Sequence, residues 1–214
     1  MKYILFDLDG TLTDPFLGIS ESVAYSLDYL GIKVKSLDDL KVFIGPPLDI
    51  SFHQYYGMDK EQCAIAIEKY REYFSTKGIF ENEVYPGMTS FLQSLIDEGK
   101  MLYICTSKPT VYAKQIVEHF NLNTYFQGVY GSELDGTRKN KKDVIAYCLK
   151  NEGLNAKECI MVGDRQHDVI GAHENNMSCI GVLYGYGDLN EFIQCHCDYI
   201  VNNIHELKGV IDEI

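Results

Sequence analysis

Cationic residues are scarce in this chain: 19 Lys and Arg stand against 31 Asp and Glu, a formal charge of −12 at pH 7. That balance excludes a nucleic-acid polymer or an anionic membrane as partner, because either would be repelled over most of the surface. A small anionic substrate stays open, provided that its site carries a local positive charge. Long apolar runs are also missing. None reaches the roughly 20 residues that a helix needs to cross a bilayer, and the opening run Tyr3-Ile4-Leu5-Phe6 is too short for the apolar stretch of a signal peptide. There is no Cys-x-x-Cys pair among the 7 cysteines, an odd number. Cys105, Cys159 and Cys179 lie inside apolar runs, where reduced Cys behaves as a small hydrophobe. A reducing cytoplasm is therefore the expected compartment. Cys195-His196-Cys197 lacks the spacing and further ligands of a zinc site, and reads as a loop or strand edge. Internal repeats and low-complexity tracts are absent, which excludes a solenoid or a disordered tail.

What is present suits one α/β domain with an insertion: 214 residues, 46% of them hydrophobic, enough for a core without staples. Tyr3 to Asp9 reads as a buried strand with a polar carboxyl end. From residue 15 to 85 the pattern is helical, with no convincing strand. Ile19, Val23, Leu27 and Leu30 recur at helical spacing and stop at Gly31. Ser36-x-x-Asp39 and Asp59-x-x-Gln62 resemble capping boxes. Asp14-Pro15 and Tyr85-Pro86 bound this stretch. After residue 86 helices alternate with strands at Met101–Cys105, Gly128–Gly131, Cys159–Val162 and Ser178–Val182. Alternation of this kind implies a Rossmann-like, doubly wound parallel sheet, whose ligands bind at the carboxyl ends of the strands. The expected division is a core of residues 1–14 and 86–214, and an all-helical insertion of residues 15–85.

Four polar elements fall at those strand ends. Asp7-Leu8-Asp9-Gly10-Thr11 places two carboxylates at the end of a buried strand, costly unless a cation lies between them. Gly163-Asp164 through Asp168 follows another strand; Asp168 could equally compensate a helix dipole. Gathered together, such carboxylates form a hard-oxygen site suited to Mg²⁺. Thr106-Ser107 offers a hydroxyl and N–H groups for phosphate oxygens, with a helix N-cap as the plainer alternative. Arg138, Lys139, Lys141 and Lys142 precede a helix, and such a run is usually a solvated face. His167 and His173, six apart, would not share a helix face and read as surface or packing residues.

Together, and in this order, the four elements resemble the motifs of the haloacid dehalogenase-like hydrolase superfamily. Gly45-Pro46-Pro47-Leu48, Thr106-Ser107-Lys108-Pro109 and Gly131-Ser132-x-Leu134-Asp135-Gly136 are similar to its phosphoglycolate-phosphatase-like branch. The resemblance implies that residues 15–85 are a helical cap and that the chain is a Mg²⁺-dependent hydrolase of small phosphate monoesters. Phosphoglycolate, nucleoside monophosphates and sugar phosphates are all open as substrates. By the same resemblance Asp7 is the nucleophile, and Asp9 is the acid and base. Asp7, Asp164 and the Asp9 carbonyl hold the metal. Thr106, Ser107 and Lys141 bind phosphate, with Lys141 restraining Asp7 and Lys139 or Lys142 as the alternatives for a short alignment slip. Asp168 supports Lys141 or a metal-bound water. Lys108 and Arg165 lie close in sequence to these groups. A small phosphorylated metabolite is the expected partner, and the chain a monomer or homodimer. A sugar-phosphate mutase of the same superfamily and a non-catalytic phosphate-binding module are the rival readings.

Overall fold

The computed structural model describes all 214 residues. The strands are β1 (Tyr3–Phe6), β2 (Thr13–Asp14), β3 (Glu83–Val84), β4 (Met101–Pro109), β5 (Phe126–Ser132), β6 (Cys159–Gly163), β7 (Ser178–Val182) and β8 (Tyr199–Val201). The helices are α1 (Phe16–Tyr29), α2 (Leu48–Tyr56), α3 (Lys60–Phe74), α4 (Met88–Asp97), α5 (Thr110–His119), α6 (Lys141–Glu152), α7 (Gln166–His173), α8 (Leu189–Gln194) and α9 (Ile204–Glu213). Six strands form a parallel sheet in the order β5-β4-β1-β6-β7-β8. This is the doubly wound α/β core expected from the alternation. β2 and β3, which the sequence did not suggest, form a two-stranded sheet of their own. No helix is long and apolar enough to cross a membrane.

The middle of the sheet is apolar because β1 is flanked on both sides. Ile4, Leu5 and Phe6 have no exposed surface, and neither do Ile160, Met161 and Val162 of β6. The registers Phe6↔Ile104 and Phe6↔Val162 bring the carboxyl ends of β4 and β6 level with Asp7. The Asp7 N–H continues the ladder by donating to the Val162 carbonyl (2.9 Å). Whatever follows β1 therefore stands beside Cys105-Thr106 on one side and Gly163-Asp164 on the other.

Two compact units divide the chain: Met1–Asp14 with Val84–Ile214, and Pro15–Glu83. In the second unit α1 packs on α3, with Ser26 Oγ donating to the Ala66 carbonyl (2.7 Å) and Val23, Leu27, Ala66 and Phe74 buried. The α3 capping box is complete, with Gln62 N–H on Asp59 Oδ1 (2.9 Å) and Asp59 N–H on Gln62 Oε1 (3.0 Å). Ser36 caps a 3₁₀ helix at Leu37–Phe43, its hydroxyl accepting from the Asp38 N–H and its carbonyl from the Asp39 N–H, each at 3.2 Å.

β4 runs four residues further than the apolar pattern suggested. Thr106, Ser107, Lys108 and Pro109 are strand, and α5 starts after Pro109 without a side-chain cap. A capping role for Thr106 or Ser107 is thereby excluded. The reason is β5: Pro109 pairs with Ser132 after a register shift, so a polar, proline-ended segment is held extended by its neighbour.

Candidate active site

Asp7 is buried, and its Oδ1 is held from two directions: the Leu8 N–H donates to it at 2.7 Å and Lys141 Nζ lies 2.9 Å away. The same ammonium is 2.7 Å from Asp168 Oδ1 and donates to the Cys105 carbonyl at 3.0 Å. Lys141 is thus the one member of the basic run that turns inward, as the first residue of α6. Its side chain is 2% exposed. Arg138 instead pairs with Glu133 and covers the Tyr147 ring, and Lys142 faces Glu174 at 3.7 Å with both side chains about half exposed. Burial by itself would lower the Lys141 pKa, but the Asp168 and Asp7 carboxylates outweigh it, so the ammonium is held above its ordinary value.

After Asp7 the chain turns back sharply. Thr11, Leu12 and Thr13 N–H groups all converge on the Leu8 carbonyl, and Gly10 N–H donates to the Thr13 carbonyl (2.8 Å). Gly10 sits at φ +80°, and a Cβ there would lie 2.1 Å from Asp164 Oδ2. Both the backbone and the close approach require glycine. Gly10→Ala is expected to cost about 3 kcal/mol, combining left-handed strain with overpacking. Thermal unfolding checks this; an unchanged melting temperature would show that the turn relaxes freely.

Asp9 lies two residues past Asp7, and Lys108 Nζ is 2.5 Å from its Oδ2, while its Oδ1 is buried without a hydrogen-bond partner in the protein. Burial pushes the Asp9 carboxyl up, against the opposing pull of Lys108. Asp164 follows β6, where Tyr186 N–H donates to its Oδ2 (2.8 Å) and Oδ1 is buried without a partner. Its pKa is raised well above the ordinary range by burial and then by the Asp168 and Asp7 charges. Asp168, in the first turn of α7, is fully buried and raised to about 6, again chiefly by burial. It pairs with Lys141 and accepts from the Arg165 N–H (3.1 Å).

Carboxylate oxygens of Asp7, Asp164 and Asp168 fall within 4.8 Å of one another. Lys141 pairs with two of these three buried carboxylates, Asp7 and Asp168, the carboxyls of Asp164 and Asp168 are held above their ordinary pKa, and Asp164 offers an unbonded oxygen. This set could bind a metal, and all-oxygen donors with spare lone pairs fit a small hard cation.

Thr106 is buried, and its Oγ1 accepts from the Lys108 N–H at 3.2 Å; the Ser107 carbonyl accepts from Ser132 Oγ at 2.8 Å. Arg165 turns to Glu191 (3.0 Å). His167 is held below its ordinary pKa by burial and the Arg165 charge, and His173 Nε2 meets Asp198 at the surface (2.9 Å). Cys195 and His196 close α8, His196 at φ 56°. Two tyrosines that the sequence did not single out hold the chain after β1: Tyr184 OH donates to the Thr11 carbonyl (3.0 Å) and Tyr186 OH donates to the Asp14 carboxylate. Nothing local marks them, since their partners lie more than 170 positions away.

A family profile described as haloacid dehalogenase-like hydrolase matches residues 4–182. A 5'-nucleotidase of Pseudomonas aeruginosa is 49% identical over 209 residues, 98% of this chain and 95% of that protein. A phosphoglycolate phosphatase of Vibrio parahaemolyticus is 22% identical over 219 residues, covering 99% of this chain and 96% of its own length. Among solved structures, a predicted phosphatase from Clostridium acetobutylicum superposes with a TM-score of 0.97 at 49% identity, over 100% of this chain and 99% of that one.

Proposed function

The chain belongs to the haloacid dehalogenase-like hydrolases as a phosphatase of that family, and we propose that it hydrolyses small phosphate monoesters through an aspartyl phosphate on Asp7, with Mg²⁺ bound. One observation carries this reading. Oδ1 of Asp7 is clamped by Lys141 and the Leu8 N–H, while Asp9, two residues away, has a buried oxygen with no partner. A nucleophile fixed at one oxygen and a separate proton carrier beside it are the two groups that covalent phosphoryl transfer needs.

In the first step Asp7 Oδ2 bonds to phosphorus as the bond from phosphorus to the ester oxygen breaks. Asp9 gives that oxygen its proton. In the second, Asp9 takes a proton from water as the water oxygen bonds to phosphorus, releasing inorganic phosphate and restoring the Asp7 carboxylate. The raised Asp9 carboxyl suits the first duty, since it holds a proton at higher pH than an ordinary Asp. Lys141 and Thr106, with Ser107, are the proposed holders of the non-bridging oxygens. Asp168 keeps Lys141 in place. The side chains of Asp7 and Asp164 and the carbonyl of Asp9 would hold Mg²⁺, which when bound supplies positive charge against Asp7–phosphate repulsion. The helical unit Pro15–Glu83 is proposed to be a cap that selects the leaving group.

The test is a phosphate-release screen with Mg²⁺ over nucleoside 5'-monophosphates, phosphoglycolate and sugar phosphates. Nucleoside 5'-monophosphates come first because the 49% identical relative carries the name 5'-nucleotidase. Release with at least one class is expected, and chelation should abolish it. Full activity after exhaustive chelation would remove the metal; isomerised sugar phosphate with little free phosphate would make the protein a mutase.

A further inference from the structure

Lys108 is built into the site as firmly as Lys141, yet it faces a different carboxylate. Its Nζ lies 2.5 Å from Asp9 Oδ2, with the two side chains 6% and 11% exposed. A buried ion pair of this kind costs much of its Coulomb gain in desolvation, so stability is a poor reason for it. The backbone is bent to deliver it. β4 and β5 shift register between Cys105 and Pro109. β5 passes so close that a Cβ at Gly131 would come within 2.3 Å of the Lys108 carbonyl. On the N-terminal side the Lys108 N–H is tied to Thr106 Oγ1 (3.2 Å), and Ser132 Oγ donates to the Ser107 carbonyl (2.8 Å). The segment is therefore fixed on both sides of the lysine.

The consequence falls on the two oxygens of Asp9. Oδ2 is clamped by the ammonium, and Oδ1 is left buried without a protein partner. A carboxylate held at one oxygen cannot swing freely about its Cβ–Cγ bond, so the other oxygen keeps one direction. We propose that Lys108 is a positioning residue for acid–base catalysis, fixing Asp9 through Oδ2 so that Oδ1 carries the transferred proton. The inference rests on the assignment of Asp9 as acid and base made above.

The test compares phosphorylation by p-nitrophenyl phosphate and by a small alkyl phosphate, each followed in single turnover with Mg²⁺. Nitrophenolate departs without a proton, whereas an alkoxide does not. Asp9→Ala is the reference: a burst of about one equivalent per site with the aryl ester and none with the alkyl ester. Lys108→Met should move in the same sense, with aryl phosphorylation within about threefold of the native rate and alkyl phosphorylation slowed on the order of 10²-fold. Lys108→Arg, which keeps the charge, should recover part of the alkyl rate, and it provides the reading if Lys108→Met does not fold. Equal losses with both esters, in kcat or through KM, would place Lys108 on the phosphoryl group or in the fold and overturn the inference. Discrimination by Asp9→Ala but not by either Lys108 variant overturns the inference alone. No discrimination by Asp9→Ala overturns the acid–base reading beneath it.

Discussion

Asp7→Asn should lower steady-state turnover by about 10⁴-fold or more, and no burst should appear with any ester, because an amide cannot replace the proposed carboxylate nucleophile. The fold is not expected to suffer. Asp7, Asp164 and Asp168 crowd one another, and Asp164 is pushed up by burial and by the charges of the other two. Neutralising Asp7 relieves part of that repulsion, while Lys141 keeps Asp168 at 2.7 Å. In chelated protein the melting temperature should therefore hold or rise, and the further rise on adding Mg²⁺ should shrink. Loss of function with retained or gained stability is the signature of a site whose charges are kept for chemistry. A folded Asp7→Asn protein that still turns over would mean direct attack by water, and the covalent route would be wrong.

How much of this was readable beforehand depends on the range of each contact. Asp7, Asp9, Asp164 and Asp168 sit within short motifs at the ends of apolar strands; spacing left plainer readings open, and the resemblance to the haloacid dehalogenase-like motifs singled them out. The basic run was harder. Arg138, Lys139, Lys141 and Lys142 are alike in charge, so the resemblance put Lys141 forward with Lys139 or Lys142 as a short slip, and the fold shows Lys141 opening α6 and reaching Asp7, Asp168 and Cys105. The strand expected at Met101–Cys105 stops before the segment Thr106 to Pro109, which is polar and ends in proline. That segment is strand because Gly131 and Ser132 of β5 admit and hold it. The strand Tyr199–Val201 and the helix Ile204–Glu213 were not expected from the sequence, although Leu207 and Ile211, four apart and buried, carry the helical spacing. Tyr186, whose N–H caps Asp164 and whose hydroxyl meets Asp14, was invisible for another reason. Its role exists only once β1 and the chain after β7 lie side by side.

Lys141→Met carries the second large effect, and it separates folding from chemistry. Methionine nearly matches the length of the lysine stem, so packing is little altered, but the ammonium between Asp7 and Asp168 is removed. Asp168 is then a fully buried carboxylate without its cation, and breaking such a pair costs about 3–5 kcal/mol. For a chain of this size that is a fall in melting temperature on the order of 10 °C. Mg²⁺ should restore part of it, since Asp7 and Asp164 can share the ion. Turnover should fall about 10³-fold even when Mg²⁺ saturates, because the fixed cation proposed to face the phosphoryl oxygens is lost. The double variant Lys141→Met/Asp168→Asn distinguishes the two losses. Neutralising Asp168 removes the stranded charge, so most of the stability should return while turnover stays low. Additive destabilisation in that double variant would mean that Lys141 and Asp168 do not act as a pair. A Lys141→Met protein losing under about 1 kcal/mol would place the cluster in contact with water, and the electrostatic account of the site would fail.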